Sequence, residues 1–192
     1  VSNSAVGRSA LAANTTGTNN TAVGTNAGDA ITTGVDNVMI GKSAGDTTTT
    51  GDNNIVLGKD AVASSATANN QVILGNSSIE VIRCQQQSIS ALSDARDKTD
   101  IVDSTDGLHL INLLRPRKFT WSMREASANN GKTDLGFIAQ EIDEALGDKN
   151  DYIHAVSHAN PDKLEAAYGR FIPILVKAIQ ELSVKVTALE AG

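Results

Sequence analysis

The stretch "NTAVGTNAGDAITTGVDNVMIGKSAGDTTTTG", residues 20–51, contains two copies of one pattern, spaced 17 residues apart. Each copy begins with asparagine, reaches an aliphatic residue followed by glycine, and ends in a Thr-Gly pair. The step from an aliphatic residue to glycine occurs five times, at Gly7, Gly24, Gly41, Gly58 and Gly75, whereas the Thr-Gly pair ends the first three copies and decays to Thr67-Ala68 in the fourth. The asparagine column holds Asn3, Asn20, Asn37, Asn54 and Gln71. Five in-phase copies indicate a repeat architecture.

One such repeat is too small to bury its own apolar side, whereas stacked repeats share a continuous core. The sequence therefore predicts a parallel β-roll, or β-solenoid, over residues 1–84. Glycine in a fixed column fits a positive φ or a close approach between coils. The asparagine column predicts an amide ladder, in which each side chain binds the equivalent one in the next coil.

The later repeats are apolar on both faces of their predicted strands. The column two residues before the glycine holds Ala5, Ala22, Met39, Val56 and Ile73, and aliphatic residues flank it. A strand that is apolar on both faces has to be covered on both. We therefore expect neighbouring chains of a homotrimer to supply the second cover. We interpret the roll as a stiff spacer, with binding of a receptor or glycan as the alternative.

Residues 85–92 are predicted to be a polar connector to a small α+β domain. A short helix is expected to place Leu108, Ile111, Leu113 and Leu114 on one face and to stop before Pro116. Phe119 and Trp121 alternate with polar residues, which predicts a strand. The stretch "LGFIAQEIDEAL" predicts a strand and then a helix ended by Gly147. The stretch "YIHAV", residues 152–156, is a further strand candidate.

The last predicted element is a long helix with a coiled-coil pattern over residues 171–190. Pro173 fits only in a first helical turn, so the helix is expected to start near Arg170. Core residues spaced by three and four form an a/d seam, which is compatible with a trimer. The seam consists of Ile172, Leu175, Ile179, Leu182, Val186 and Leu189.

Composition excludes several classes of function. The net charge of −6 disfavours a general role on nucleic acid or on an anionic membrane. No apolar run approaches the roughly 20 residues of a membrane helix, so membrane insertion is not expected. His109, His154 and His158 lack the spacing of a metal site, and we predict neither a metal nor a cofactor.

Three blocks in the second half occur in a fixed order. They are "SDARDK" (93–98), "GFIAQE" (136–141) and "YGRFIPILVKAIQEL" (168–182). Together they resemble the self-cleaving intramolecular chaperone at the C-terminus of phage tailspikes, tail fibres and endosialidases. The repeats resemble the β-roll heads of trimeric autotransporter adhesins. The resemblance implies that residues 93–192 form a chaperone domain that assembles three chains and then removes itself by autoproteolysis.

The resemblance also implies the site residues. Ser93 and Lys98 correspond to the family's serine–lysine dyad, and Asp94 and Arg96 stand at their expected supporting positions. The cut should adjoin Ser93, at the Ser93-Asp94 bond or, as second choice, at the Leu92-Ser93 bond. Serine needs a nearby base, and lysine can serve when desolvation or a neighbouring cation lowers its pKa. Arg96 is the candidate cation. The alternative is that Ser93 is a helix N-cap supported by Asp97.

The predicted protein is thus the C-terminal fragment of a homotrimeric phage tail fibre or tailspike. It would be made in the host cytoplasm and would end in the virion, with a host receptor or glycan as a further candidate partner for host adhesion. A trimeric adhesin stalk that does not cleave is the alternative. Gln140 and Glu141 match the family block, and we expect structural hydrogen bonding from them. A carbohydrate-active enzyme is disfavoured, because the repeats lack an aromatic platform for a sugar ring.

Overall fold

The computed structural model describes residues 2–85, 89–124, 127 and 129–192. The chain divides into two compact units. The first comprises Val1–Ile82 with Ser122–Asn130, and the second comprises Arg83–Trp121 with Gly131–Gly192. Residues 86–88 of the predicted connector lie outside the described residues. The predicted domain boundaries stay predictions.

The first unit is a parallel solenoid with five strands of three residues each. Each strand pairs with the next in a register of 17 residues, for example Ala22 with Met39 and Met39 with Val56. This register confirms the predicted parallel β-solenoid of 17-residue repeats. The strands are β1 (Ser4–Val6), β2 (Thr21–Val23), β3 (Val38–Ile40), β4 (Ile55–Leu57) and β5 (Val72–Leu74).

The core of the solenoid is built from small and aliphatic side chains. The central residue of the middle strands points inward, so Ala22, Met39 and Val56 are fully buried. The alanine column, three residues after each glycine, completes the core at Ala27, Ala44 and Ala61. Because these side chains are narrow, opposite walls of a coil can approach closely.

The predicted asparagine ladder is present inside the solenoid. Asn20, Asn37 and Asn54 are fully buried. The Asn37 Nδ2 donates to Asn20 Oδ1 at 3.0 Å, and the Asn54 Nδ2 donates to Asn37 Oδ1 at 3.1 Å. The Asn37 Nδ2 also donates to the Gly51 carbonyl oxygen at 2.8 Å. The ladder therefore satisfies backbone and side-chain polar groups that are out of reach of water.

Two glycine columns let the coils stack. A Cβ at Gly34 would lie 2.5 Å from the carbonyl oxygen of Gly51 in the next coil. Gly24 has a φ of +138°, a conformation that other residues rarely adopt. Glycine is thus required both by contact and by backbone geometry.

The outer face of the strands is apolar and open in a single chain. Val23, Ile40 and Leu74 are 40%, 42% and 53% exposed. The sequence predicted that the later strands would be apolar on both faces, and their side chains point as expected. A homotrimer that covers this face remains a prediction.

The second unit is a small α+β fold with two antiparallel strand pairs, Arg117–Thr120 with Thr133–Gly136 and Val156–Ser157 with Glu165–Ala166. Buried residues from its helices form one core around Leu110, Ile142, Leu146, Ile153 and Phe171. Its elements are α1 (Leu108–Ile111), β6 (Arg117–Thr120), β7 (Thr133–Gly136), α2 (Ala139–Leu146), α3 (Asn150–Ile153), β8 (Val156–Ser157), β9 (Glu165–Ala166) and α4 (Ile172–Glu190).

Several predicted elements of this unit are confirmed. β6 contains Phe119 but ends one residue before Trp121, and the stretch "LGFIAQEIDEAL" forms the end of β7 and then α2. Gly147 ends α2 with a φ of +51°. The long C-terminal helix α4 begins at Ile172 with Pro173 in its first turn, close to the expected start.

The predicted face of α1 was partly wrong: Ile111 and Leu114 pack against the core as expected, but Leu113 does not, and Leu110 was missed. Leu110 is the buried residue, at 1% exposure, whereas Leu113 is 44% exposed and lies beyond the helix. The helix has a single turn and ends at Ile111, well before Pro116. One turn is too short for periodicity to define a face, so packing of α1 against α4 selects the inward residue instead.

The predicted strand at "YIHAV" was also wrong. Tyr152 and Ile153 belong to α3, and His154 ends that helix in the left-handed region at φ 54°. The Asn150 side chain then binds both the amide and the carbonyl of Val156 at 2.9 Å. This local side-chain bridge turns the chain, so that only Val156 enters β8.

Candidate functional site

The block 93–98 forms a tight turn whose N-terminal cap, Asp94, belongs to the same block. Residues Ala95–Asp97 make one turn of 3₁₀ helix, and Asp94 is its N-cap. The Asp94 Oδ1 accepts from the Arg96 amide at 2.9 Å and from Arg96 Nε at 3.0 Å, and Asp94 Oδ2 accepts from Arg96 Nη2 at 2.6 Å. One carboxylate thus fixes the backbone and the side chain of Arg96 together.

This turn brings Ser93 and Lys98 together. The Lys98 Nζ donates to the Ser93 Oγ at 2.6 Å. The Lys98 amide also donates to the Ala95 carbonyl, which orients the residue as the chain leaves the turn. Both side chains are exposed in the single chain. A hydroxyl and an amine at this separation can exchange a proton directly.

The alternative reading of Ser93 as a helix N-cap was wrong. Asp94 occupies the cap position, with extended backbone angles and the side-chain bond to the Arg96 amide. Asp94 is favoured as the N-cap because its carboxylate also forms an ion pair with the Arg96 guanidinium, which a serine hydroxyl cannot do. The Ser93 hydroxyl is therefore left to Lys98.

The electrostatics of the turn differ from the expectation for Arg96. The side-chain hydrogen bond from Arg96 lowers the pKa of the Asp94 carboxyl, and the same bond raises the pKa of Arg96. The two charges compensate each other at short range. Arg96 is thus not the free cation that the sequence suggested as a neighbour for Lys98; it holds the turn through Asp94.

The chain on both sides of the turn carries exposed aliphatic residues. Ile89 and Leu92 precede the turn and are fully exposed, and Ile101 and Val102 follow it and are 70% and 85% exposed. Four large apolar side chains exposed to water on either side of Ser93 and Lys98 are unusual for the surface of a protein that has no further binding partner. In the single chain, Ser93 and Lys98 are therefore accessible to solvent.

Glu141 of the block "GFIAQE" has a positioning role. Its carboxylate accepts from Arg117 Nε at 2.9 Å and Nη2 at 2.5 Å, and Arg115 Nη1 lies 3.5 Å away. The hydrogen bond from Arg117 lowers the pKa of Glu141. These contacts join α2 to β6, which agrees with the structural hydrogen bonding expected for Glu141. Gln140 is exposed.

Two further anchors were missed by the sequence analysis. The Asp106 carboxylate binds Lys149 Nζ, and it accepts from the Tyr152 hydroxyl at 2.6 Å. The Glu181 carboxylate of α4 accepts from the Leu108 amide at 2.9 Å and so caps α1. Partners 43 to 73 residues apart leave no local sequence signal.

The histidines do not converge. His158 Nε2 lies 3.0 Å from Asp143 Oδ2, and His109 and His154 are located elsewhere on the surface. Within the described residues, no group of three or more His, Cys, Asp or Glu side chains could hold a metal ion. In the same part of the chain, every helix is too short or too polar to cross a membrane.

Comparison with known proteins gives one match. The model of the family described as chaperone of endosialidase, which is named as a peptidase family, matches residues 93–150. The match starts at Ser93 and includes the first two blocks, up to Glu141 and beyond. Searches of curated proteins and of solved structures found no match.

Proposed function

Because the model of the chaperone-of-endosialidase family matches residues 93–150, we propose that the second unit is an intramolecular chaperone that assembles three copies of the chain into a phage tail fibre or tailspike. The solenoid is the fibre segment that it assembles. Parallel β pairing between distant residues is slow, and unfinished edges aggregate. A domain that holds three chains in register therefore gives such a fibre a physical advantage, and the product would be part of the virion.

Two apolar surfaces support association with copies of the same chain. The a/d seam of α4 is open along its length, with Ile179 65% and Leu189 81% exposed, while Ile174 and Ala178 pack on the core. The outer face of the solenoid strands is open as well. A helix with one face in its own core and a regular seam in water is typical of a chain that pairs with further helices.

We further propose that the domain releases itself by a single cut beside Ser93. At the Leu92-Ser93 bond, the Ser93 Oγ attacks the carbonyl carbon of Leu92; at the Ser93-Asp94 bond, it attacks the serine's own carbonyl carbon and closes a strained four-membered lactone, which is a cyclic ester. In both cases the neutral amine of Lys98 takes the hydroxyl proton, and the leaving nitrogen is that of Ser93 or of Asp94. The proton then passes to the leaving nitrogen, and water hydrolyses the resulting ester. The Ser93-Asp94 bond is the first candidate and the Leu92-Ser93 bond the second. The observation that carries this proposal is the 2.6 Å contact between Lys98 Nζ and Ser93 Oγ.

Assembly can control this reaction. A lysine amine in water is protonated to ammonium at neutral pH, and in that form it cannot act as a base. Burial disfavours the charged form, so a neighbouring chain that covers the turn would favour the neutral amine. Ser93 and Lys98 are exposed in the single chain, which leaves room for such a cover. A monomeric form that cuts itself as fast as the trimer would contradict this coupling.

The test compares the parent chain with Ser93→Ala on a denaturing gel, with Ser90→Ala as the matched control three residues away. We expect two fragments, each near half the chain, from the parent and from Ser90→Ala, and an intact chain from Ser93→Ala. Mass spectrometry of the new C-terminus then identifies which bond is cut. Cleavage that persists in Ser93→Ala would refute the nucleophile.

The second candidate function is a trimeric adhesin stalk in which the C-terminal unit is only a trimerisation anchor. The exposure of Ser93 and Lys98 in the single chain favours it if no cover forms. An intact parent chain that is trimeric in solution would support this alternative. The exposed threonine column at Thr16, Thr33 and Thr50 would then be the surface for a host receptor or glycan.

A further inference from the structure

An apolar groove of about 380 Å³ lies within the second unit. It is formed by the end of α1, the approach to α2 and the start of α4. Tyr168 and Leu175 on its wall remain 47% and 44% exposed, so the groove is open to solvent. Its lining includes Ile111, Leu114, Pro116, Phe137, Tyr168 and Leu175. Open apolar surface of this kind marks an interaction site.

A short segment of the same unit has complementary features. Ile101 and Val102 follow Lys98 closely and are 70% and 85% exposed. Asp100 precedes this pair and Asp103 follows it. Asp100 adopts a positive φ of 52°, so the chain bends just before the pair. The segment thus presents two aliphatic side chains between two carboxylates.

The border of the groove carries the opposite charge. Arg115 lies between two lining residues, and both Arg115 and Arg117 face the single carboxylate of Glu141. Glu144 lies on the same surface as Arg115 and Glu141. Two carboxylates therefore offset Arg115 and Arg117, and the remaining positive charge at the border is that of Arg170. Arg170, next to the start of α4, is also exposed. An apolar segment flanked by aspartates matches this arrangement in shape and in charge.

We propose that the groove of one chain binds residues 100–103 of a second copy of this chain. Ile101 and Val102 enter the groove, and Asp100 and Asp103 face the arginines. The proposal rests on the trimeric assembly proposed above. Leu175 belongs to both the groove and the α4 seam, so a second copy that packs along the seam arrives beside the groove. In the single chain, the groove and residues 100–103 are both exposed to solvent, so this contact does not form within one chain.

This contact would give assembly a route to the cleavage site. Residues 100–103 begin two positions after Lys98, so docking them on a neighbour draws the turn of Ser93 and Lys98 against a protein surface. Each chain would then receive part of the cover for its dyad from another copy. The proposal concerns the contact, and it can be tested in a chain that cannot cut itself.

The test is disulfide trapping between two differently tagged full-length chains produced in the same cells. Both carry Ser93→Ala to prevent cleavage and Cys84→Ser to remove the only native thiol. One chain carries Val102→Cys and the other Leu114→Cys in the groove. The matched control replaces the groove partner with Leu135→Cys, on β7 and 73% exposed. Pro116→Cys is a second groove position in case the first disturbs folding.

Light scattering first establishes the oligomeric state, and oxidation is then read on a non-reducing denaturing gel. We expect trimers in which the two tags become linked for positions 102 and 114, or 102 and 116, and not for 102 and 135. Trimers without that link would overturn the contact while leaving the proposed chaperone intact. A further chain carries both cysteine substitutions. If the disulfide forms only within that chain and never between two chains, the proposed contact is overturned as well. A chain that stays monomeric would refute both the assembly and the contact.

Discussion

At Asp94, one carboxylate meets three donors of Arg96, and the turn that results places Ser93 beside Lys98. The chemistry proposed for the serine and the lysine therefore depends on a neighbour whose side chain takes no part in making or breaking bonds. In the proposed reaction, Asp94 and Arg96 are positioning residues. Their effect on the site is geometric, because their charges compensate each other.

Replacing Asp94 with alanine should slow self-cleavage. The change removes the cap and the partner of Arg96, and a displacement of about 1 Å at a reacting pair can cost about 100-fold in rate. We expect a rate constant lower by about 10- to 100-fold, with unchanged trimer formation. The measurement is a time course of fragment appearance after synthesis is stopped.

Arg96→Ala should cause a similar loss, and Asp94→Asn, which keeps a capping oxygen, should recover part of the rate. Asp97→Asn is the control, since Asp97 is an exposed acid of the same turn. Equal cleavage rates in Asp94→Ala and in the parent would contradict the positioning role.

Glu141 gives the second unit a dependence on acid. Its pKa in the folded chain lies below the ordinary value of 4.5, because Arg117 binds the ionised form. The stabilisation is therefore complete above that ordinary value and is lost as the pH falls through the lower folded-state pKa. Thermal unfolding of the Ser93→Ala chain at pH 7 and pH 3 should show this loss.

Arg117→Ala should reduce the difference between the two pH values, whereas Lys118→Ala, an exposed neighbour on the same strand, should not. An unchanged pH difference in Arg117→Ala would assign the acid sensitivity to other groups.

At the scale of elements, the solenoid and the helix α4 are stabilised in different ways. A three-residue strand has little stability of its own, so each coil depends on its neighbours and on the buried asparagine ladder. The helix α4 spans 19 residues and buries only one stripe, at Ile174 and Ala178. The solenoid should therefore be sensitive to single buried polar changes, and α4 to the loss of its partners.

Asn37→Ala tests the ladder. The substitution removes the hydrogen bonds that the Asn37 side chain makes with the Gly51 carbonyl oxygen and with the Asn54 backbone N–H inside the core. A buried polar group without a partner costs about 1–3 kcal/mol, so we expect the free energy of unfolding to fall by about 3 kcal/mol. Urea unfolding at matched chain concentrations measures the change.

Thr33→Ala, at an exposed position of the same coil, is the control and should change the free energy of unfolding by about 0.5 kcal/mol or less. A small effect for Asn37→Ala, comparable with this control, would show that the ladder is dispensable.

At the scale of the whole molecule, the chain leaves apolar surface open in the solenoid, along the α4 seam and in the groove of the second unit. These surfaces are distributed over both units. Self-association would remove all of them from water at once, which is the physical basis for proposing that assembly and folding are coupled.

Ile179→Asp should abolish trimer formation. Ile179 lies on the seam and is 65% exposed in the single chain, so aspartate costs the isolated chain little but places a charge in the coiled-coil core. Val184→Asp is the matched control, since Val184 is 71% exposed on the same helix and lies off the seam. Light scattering at equal concentrations should give a monomer for the first variant and a trimer for the second. A trimer for both would place the association elsewhere.

The elements that could be predicted from the sequence are those with a long or repeated pattern. The 17-residue register, the asparagine ladder, α2 with its stop at Gly147 and the start of α4 all follow from residues close in sequence or in identical columns. The complete face of α1 and the segment "YIHAV" could not be predicted. Each is a single turn, and Leu110 and Asn150 owe their burial and bonds to contacts that no short pattern encodes.

The candidate site divides in the same way. The sequence by itself determined the repeat fold, the seam and the block that carries Ser93 and Lys98, because periodicity and motif spacing are properties of the chain. Only the tertiary structure decided that Asp94 caps the turn and binds Arg96, that Lys98 reaches Ser93, and that Asp106 and Glu181 anchor the helices nearby. The reason is physical: the partner that a polar side chain takes depends on distances in space, and these are set only when the chain has folded.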